Sequence, residues 1–265
     1  MNDLWRRTGT AVVYVGLTLG AAWAGPLTTL LLFLPIALLG SSELLRLGPV
    51  ADPSHRSKDL VVAGLVYLAT AMVAVLPSWT VFHALSLTAF VLMVRIIDLL
   101  VRGGEEPFGQ VSALLFLHGY VALPLALLPH LADGGPQMMM GVFLLVWIND
   151  TGAYFTGRAL GRHKLLPKVS PNKTVEGFLG GVLLTVGLGW LLAQEWRFLE
   201  RNEWLLLAFL VAAVSTLGDL LESALKRARG VKDSGALLPG HGGVLDRLDG
   251  LLLAIPVYTL YLFFG

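Results

Sequence analysis

The sequence predicts an all-α, polytopic membrane protein with about nine transmembrane helices. Three observations lead there. Of 265 residues, 55% are hydrophobic and only 14% charged, where a soluble domain carries about a quarter charged residues. The apolar residues are gathered into long runs with few or no charges, the pattern of helices that cross a bilayer. The cations are placed one-sidedly once those runs are made to alternate across the membrane.

The candidate spans run approximately over 8–25, 27–45, 60–77, 79–101, 110–129, 136–156, 177–194, 204–225 and 248–264. Several lie near the lower limit of about 17 residues, so their ends are soft. Gly25-Pro26 is the only break between the first two, which could also form one re-entrant pair. Pro77-Ser78 divides the third from the fourth. Arg6 and Arg7 before an apolar run could pass for a secretory signal, but the next run begins at once, as in an uncleaved first span. With the N-terminus in the cytoplasm, 17 of the 19 Lys and Arg residues fall inside or at the inner boundary, and only Arg197 and Arg201 fall outside. This places the C-terminus outside. The longest polar stretches, 157–176 and 226–247, lie inside, so chemistry belongs on that face. The chain reads as one membrane-embedded domain, with N-terminal spans in 1–130 and a core in 136–265. With no cysteine, thiolate ligands and disulfides are excluded.

An ionisable residue inside a span is costly and marks a functional candidate. Asp219 lies in the eighth span. Glu222, Ser223, Lys226 and Arg227 follow at offsets of three, four, seven and eight, which is one helix face. Snorkelling into the interface explains Lys226 and Arg227, but explains Asp219 poorly. In the sixth span Asp150, Tyr154 and Arg158 share a face, although a lone aspartate could simply pair with an arginine elsewhere. Arg95 and Asp98 read as a self-neutralising interfacial pair. Glu43, His83 and His118 read as equally bland.

Segment 157–176 carries five cations and one carboxylate. Such a loop can enforce topology alone, yet Ser170, Lys173 and Thr174 could meet phosphate oxygens beside the free N–H groups of the helix that follows. In 226–249, Lys226, Arg227, Arg229 and Lys232 precede Pro239-Gly240-His241-Gly242-Gly243, a bend able to form an anion nest. Asp246, Arg247 and Asp249 come directly after. If helical there, Asp246 and Asp249 share a face. Paired carboxylates without thiol or imidazole suit a hard cation such as magnesium. Acids also favour any helix N-terminus, which could explain one of them. Carboxylates for a hard metal, fixed cations and a glycine nest are what phosphoryl or nucleotidyl transfer needs. No GxxxxGK[ST] loop is present, so a P-loop enzyme is excluded.

The run from Ser223 through Lys226, Arg227, Lys232, Pro239, His241, Gly242, Gly243, Asp246 and Arg247 to Asp249 resembles the signature of the phosphatidate cytidylyltransferases (CDP-diacylglycerol synthases). Asp150-Thr-Gly-Ala-Tyr154-Phe and Ser170-Pro-Asn-Lys173-Thr174-Val-Glu176-Gly177 look like two further blocks of that family. The resemblance is strong over 145–255. Gly250 and Val175 depart from the residues often found there, which leaves fine substrate preference open.

The resemblance implies a bacterial inner-membrane enzyme, dimeric in the family's manner, with a polar cavity open to the cytoplasm. It implies magnesium-dependent reaction of CTP with phosphatidic acid, giving CDP-diacylglycerol and pyrophosphate. Asp219, Asp246, Asp249 and Asp150 are the expected metal ligands, with room for a second metal or a monovalent cation. Lys226, Arg227, Asp246 and Asp249 are the expected catalytic residues. Arg158, Ser170, Lys173, Thr174, Ser223, Lys232, His241, Gly242, Gly243 and Arg247 would bind substrate. The expected partners are CTP, phosphatidic acid, the bilayer and a second copy of the chain, with no nucleic acid. Two alternatives stand beside this: the same chemistry on an ether or isoprenoid lipid, and a transporter using Asp150 and Asp219 as an ion path. One-sided charge and the lack of a visible repeat weigh against the transporter.

Overall fold

The computed structural model describes residues 2–48, 53–102, 106–235 and 242–264. Helices dominate it. Among the described residues, seven helices are long and apolar enough to cross a membrane, and two shorter apolar ones, Val12–Ala24 and Asp249–Phe263, lie towards the two ends. The chain is therefore a multi-pass membrane protein.

The chain divides into two compact units, Met1–Pro136 with Asp233–Asp246, and Gln137–Lys232 with Arg247–Gly265. The first unit holds α1 (Asn2–Ala24), α2 (Pro26–Leu47), α3 (Pro53–Ala71) and α4 (Val81–Arg102). It also holds a broken rod built of α5 (Pro107–Leu117), α6 (Leu123–Ala126) and α7 (Leu128–Asp133). Gly25 separates α1 from α2 with φ 99°, a backbone that only glycine adopts cheaply, and Pro26 starts the next helix. The break in the rod has a local cause. Pro124 and Pro129 have no N–H to donate, and the stretch His118–Ala122 widens into a π-helical turn ahead of them. Buried Tyr67 of α3 donates its hydroxyl to the Leu30 carbonyl of α2 at 2.9 Å, which ties the two helices together inside the apolar core.

The second unit holds α8 (Pro136–Leu160), α9 (Val175–Glu195), α10 (Arg201–Ala228) and α11 (Asp249–Phe264). Between α8 and α9 the basic loop forms a two-stranded antiparallel hairpin, β1 (Lys164–Leu166) and β2 (Ser170–Thr174), where the sequence suggests only a turn. Thr174 ends β2 and caps α9, its Oγ1 accepting from the Gly177 amide at 3.1 Å. Glu176 ties the other strand down by accepting from the amides of Arg162 and His163. Ser234, Val244 and Leu245, expected with the core half, pack with the first unit because buried Glu43 of α2 gathers them.

Candidate active site

The second unit encloses a cavity of about 530 Å³ between α8, the hairpin, α9 and α10. Asp150 and Arg158 enter it from α8, Lys173 from β2, and Thr216 and Asp219 from α10. Its existence depends on how closely α8 and α9 cross. A Cβ on Gly181 would lie 2.6 Å from Asn149 Oδ1, and one on Gly177 would lie 2.8 Å from the Ala153 carbonyl. Glycines four apart on one face are the device by which membrane helices bring their backbones together.

Asn149, one residue before Asp150, sets the register of α8 against α10. Its Nδ2 donates to Ser215 Oγ at 3.0 Å and Thr216 Oγ1 at 3.3 Å, all within the buried interior. That link carries Asp150 to the height of Asp219. Lys173 then reaches from the hairpin to donate to Asp219 Oδ2 at 2.5 Å. Arg158 donates to the hydroxyl of Tyr154, one turn earlier on α8, at 3.0 Å.

Acidic charge is concentrated here. The charges of Asp150 and Asp219 act on one another and on Asp249, where Glu222 adds a fourth. Asp249 comes close because Gly218 has no side chain: a Cβ there would overlap the Asp249 carbonyl oxygen. Buried Glu222 pairs with buried Lys226 one turn on, at 3.2 Å. Among the described residues, two of the four acids, Asp219 and Glu222, form ion pairs with an ammonium group.

A hard divalent cation fits this donor set. Asp219 Oδ1 is buried and has no hydrogen-bond partner among the described residues, an arrangement that costs free energy unless something positive meets it. Among the described residues, no three acids or imidazoles converge tightly enough to cage a metal alone. Magnesium does not need that, since it is commonly held by one or two carboxylates together with water and substrate phosphates.

The remaining expected residues are placed as follows. Asp246 lies in the first unit, where its Oδ2 accepts from the Gly243 amide at 2.7 Å and from the Ser234 amide at 2.9 Å. The expected shared helix face of Asp246 and Asp249 does not form. Residues Leu245–Arg247 make a 3-10 turn, and α11 begins only at Asp249. Gly242 has φ 80°, a backbone that favours glycine. Arg227, exposed, donates to the Val231 carbonyl at 2.9 Å. Lys232 and Arg247 are exposed, while Ser170 and Ser223 are half-buried. His241 lies outside the described residues.

One bland reading is corrected and one is extended. Glu43 is buried and accepts from the Val244 amide at 3.0 Å, the Leu245 amide at 2.9 Å and Ser234 Oγ at 3.0 Å. Arg95 pairs with Asp98 as expected, and it is also buried and donates to Asp59 at 2.7 Å. Asn149 is missing from the set of site residues that the sequence suggests. The signal for Glu43 is its place in an apolar span; Asn149 offers only its adjacency to Asp150.

Comparison with known proteins points the same way. A profile of the cytidylyltransferase family matches residues 5–264. A phosphatidate cytidylyltransferase of Staphylococcus epidermidis is 35% identical over 263 residues, covering 97% of this chain and 98% of its own. Those of Staphylococcus aureus and Staphylococcus saprophyticus are each 34% identical, with the same coverage.

Proposed function

This chain belongs to the cytidylyltransferase family, and we propose that it transfers the cytidylyl group of CTP to phosphatidic acid. The products are CDP-diacylglycerol and pyrophosphate. The phosphate monoester of the lipid attacks the α-phosphorus of CTP in line. A new P–O bond forms to the lipid phosphate, and the bond to the β-phosphate oxygen breaks. No protein base is needed, because the attacking phosphate is already anionic at neutral pH.

The observation that carries this reading is the meeting of Asp150, Asp219 and Lys173 in one cavity, with Asp219 Oδ1 buried and unpartnered among the described residues. Acids and cations side by side in a partly enclosed site suit a triphosphate that arrives with its metal. Asp219 and Asp150 would hold a magnesium ion, and Asp246 and Asp249 are the two further acids expected to take part in the reaction. Bound there, the ion would neutralise charge on the phosphates. Lys173 and Arg158 would orient phosphate oxygens, and the close α8–α9 crossing would keep the cavity rigid. The charge bias of the sequence supports a cytoplasmic N-terminus, an outer C-terminus, nine spans and a cavity open to the cytoplasm. A homodimer in a bacterial inner membrane is part of the same expectation.

The test is an assay of the purified full-length protein in lipid nanodiscs with labelled CTP, phosphatidic acid and magnesium. CDP-diacylglycerol and pyrophosphate should appear together, and chelation should stop both. No CDP-lipid from any phosphatidic acid would overturn the proposal. Ether-linked and isoprenoid phosphates in the same assay decide between lipid classes.

A further inference from the structure

Three of the glycines in and near the signature bend sit against protein carboxylates rather than open space. A Cβ on Gly243 would overlap Glu43 Oε2, one on Gly235 would lie 2.5 Å from Glu43 Oε1, and one on Gly242 would lie 2.6 Å from Asp246 Oδ2. The chain is wrapped around two acids of its own. Glu43 Oε1 accepts from the Val244 amide, and Oε2 accepts from the Leu245 amide and the Ser234 hydroxyl. Asp246 Oδ2 accepts from the amides of Ser234 and Gly243. The Ser234 hydroxyl has one proton and stands 3.0 Å from both Glu43 Oε2 and Asp246 Oδ2, so it links the two carboxylates.

We infer that Glu43 is a positioning residue for the transfer reaction, acting through Ser234 and the 244–245 amides to fix the orientation of Asp246. The physical reason is a shortage of backbone partners. Residues 242–248 form neither a long helix nor a strand, so their buried N–H groups need another acceptor. A carboxylate supplies two accepting oxygens in one plane, and its bonds to N–H groups are stronger than neutral ones. An amide side chain has only one accepting atom for the two consecutive amides and the hydroxyl. Glutamine keeps the volume but turns one oxygen into a donor, facing either the Val244 amide or both the Leu245 amide and the Ser234 hydroxyl. Glu43 is 191 residues from Ser234 in sequence, which is why the bend alone does not reveal it.

The inference rests on Asp246 being one of the reacting site's acids, as proposed above. The experiment separates the two claims. Full-length Glu43→Gln, Ser234→Ala and Asp246→Asn are purified beside the unmodified protein. Amide hydrogen exchange is followed without metal or nucleotide, and turnover is followed across magnesium and CTP concentrations. In Glu43→Gln, exchange in the 242–248 peptide should accelerate about tenfold or more, while α8 and α9 peptides stay unchanged. The kcat should fall roughly 10- to 100-fold, with a higher half-saturating magnesium concentration and a KM for phosphatidic acid within about twofold. Ser234→Ala should show a smaller effect in the same direction. Combining Glu43→Gln with Asp246→Asn should add little to Asp246→Asn alone.

Unchanged exchange at 242–248 in both single variants overturns the inference. So does a loss of activity that tracks only the folded fraction, with exchange raised throughout and half-saturating magnesium unchanged. If Glu43→Gln does not fold, Ser234→Ala is read by the same exchange and turnover measurements, and the same two results overturn the inference. Full activity of Asp246→Asn removes Asp246 from the site, and with it any catalytic consequence of Glu43.

Discussion

Lys173 of β2 donates to Asp219 of α10 across 2.5 Å, joining the hairpin to a membrane helix 46 residues further on. Neither residue explains the other in sequence. Together they put a cation and an acid at the same wall of the cavity, half-buried, where water screens them less than at the surface.

Replacing Lys173 with Met removes that charge and keeps most of the stem. The kcat/KM for CTP should fall by roughly 10- to 100-fold, the range for losing a hydrogen bond to a charged group. Steady-state kinetics at saturating magnesium measure it. A value within about twofold of the unmodified protein would mean that Lys173 only ties down the hairpin.

Asp219→Asn replaces one carboxylate oxygen by a donor and removes a charge at the acid whose Oδ1 has no partner among the described residues. Turnover should drop by about 100-fold or more, with the half-saturating magnesium concentration raised. Chelation of the unmodified protein should abolish turnover, and added magnesium should restore it. Full turnover in the presence of chelator excludes the metal reading.

Gly181→Ala should destabilise the second unit. The added Cβ would stand 2.6 Å from Asn149 Oδ1 and 2.9 Å from the Asn149 carbonyl oxygen, and backbone cannot step aside cheaply. The expected cost is about 1–3 kcal/mol, read as a lower thermal midpoint in detergent. Activity should fall too, since the same crossing carries Asp150. An unchanged midpoint would show that α8 and α9 separate without cost.

Arg95→Met should cost about 3–5 kcal/mol, because it leaves Asp59 and Asp98 facing a neutral, buried side chain. Losing Lys58 instead should cost about 0–1 kcal/mol, since that side chain is 43% exposed and its pair with Asp98 is screened. Chemical denaturation in mixed micelles ranks the two. Equal effects would contradict the burial of Arg95.

Much of the site was legible one residue at a time. Asp219 and Asp150 stand out because an acid in an apolar run has to be compensated, and both prove to face the cavity. Lys173 and Thr174 stand out as polar groups before a helix, and both line it as well. Asp246 and Asp249 read as a pair on one helix, but the 3-10 turn at Leu245–Arg247 intervenes and sends them to different units. Glu43 is easily passed over because it lies near the end of an apolar run, where a charged side chain can usually reach water.

Composition and the spacing of apolar runs determined that this chain is a helical, multi-pass membrane protein, since few other structures satisfy so many backbone groups without water. The motif residues pointed to its family and hence its chemistry. Only the tertiary structure decided which acids meet. Periodicity reports the faces of one helix, whereas Lys173 with Asp219, Asn149 with Ser215 and Glu43 with Ser234 are contacts between elements far apart in the chain. The Asn149 and Glu43 contacts lie beside close approaches at Gly181 and Gly243, a closeness that depends on both partners at once.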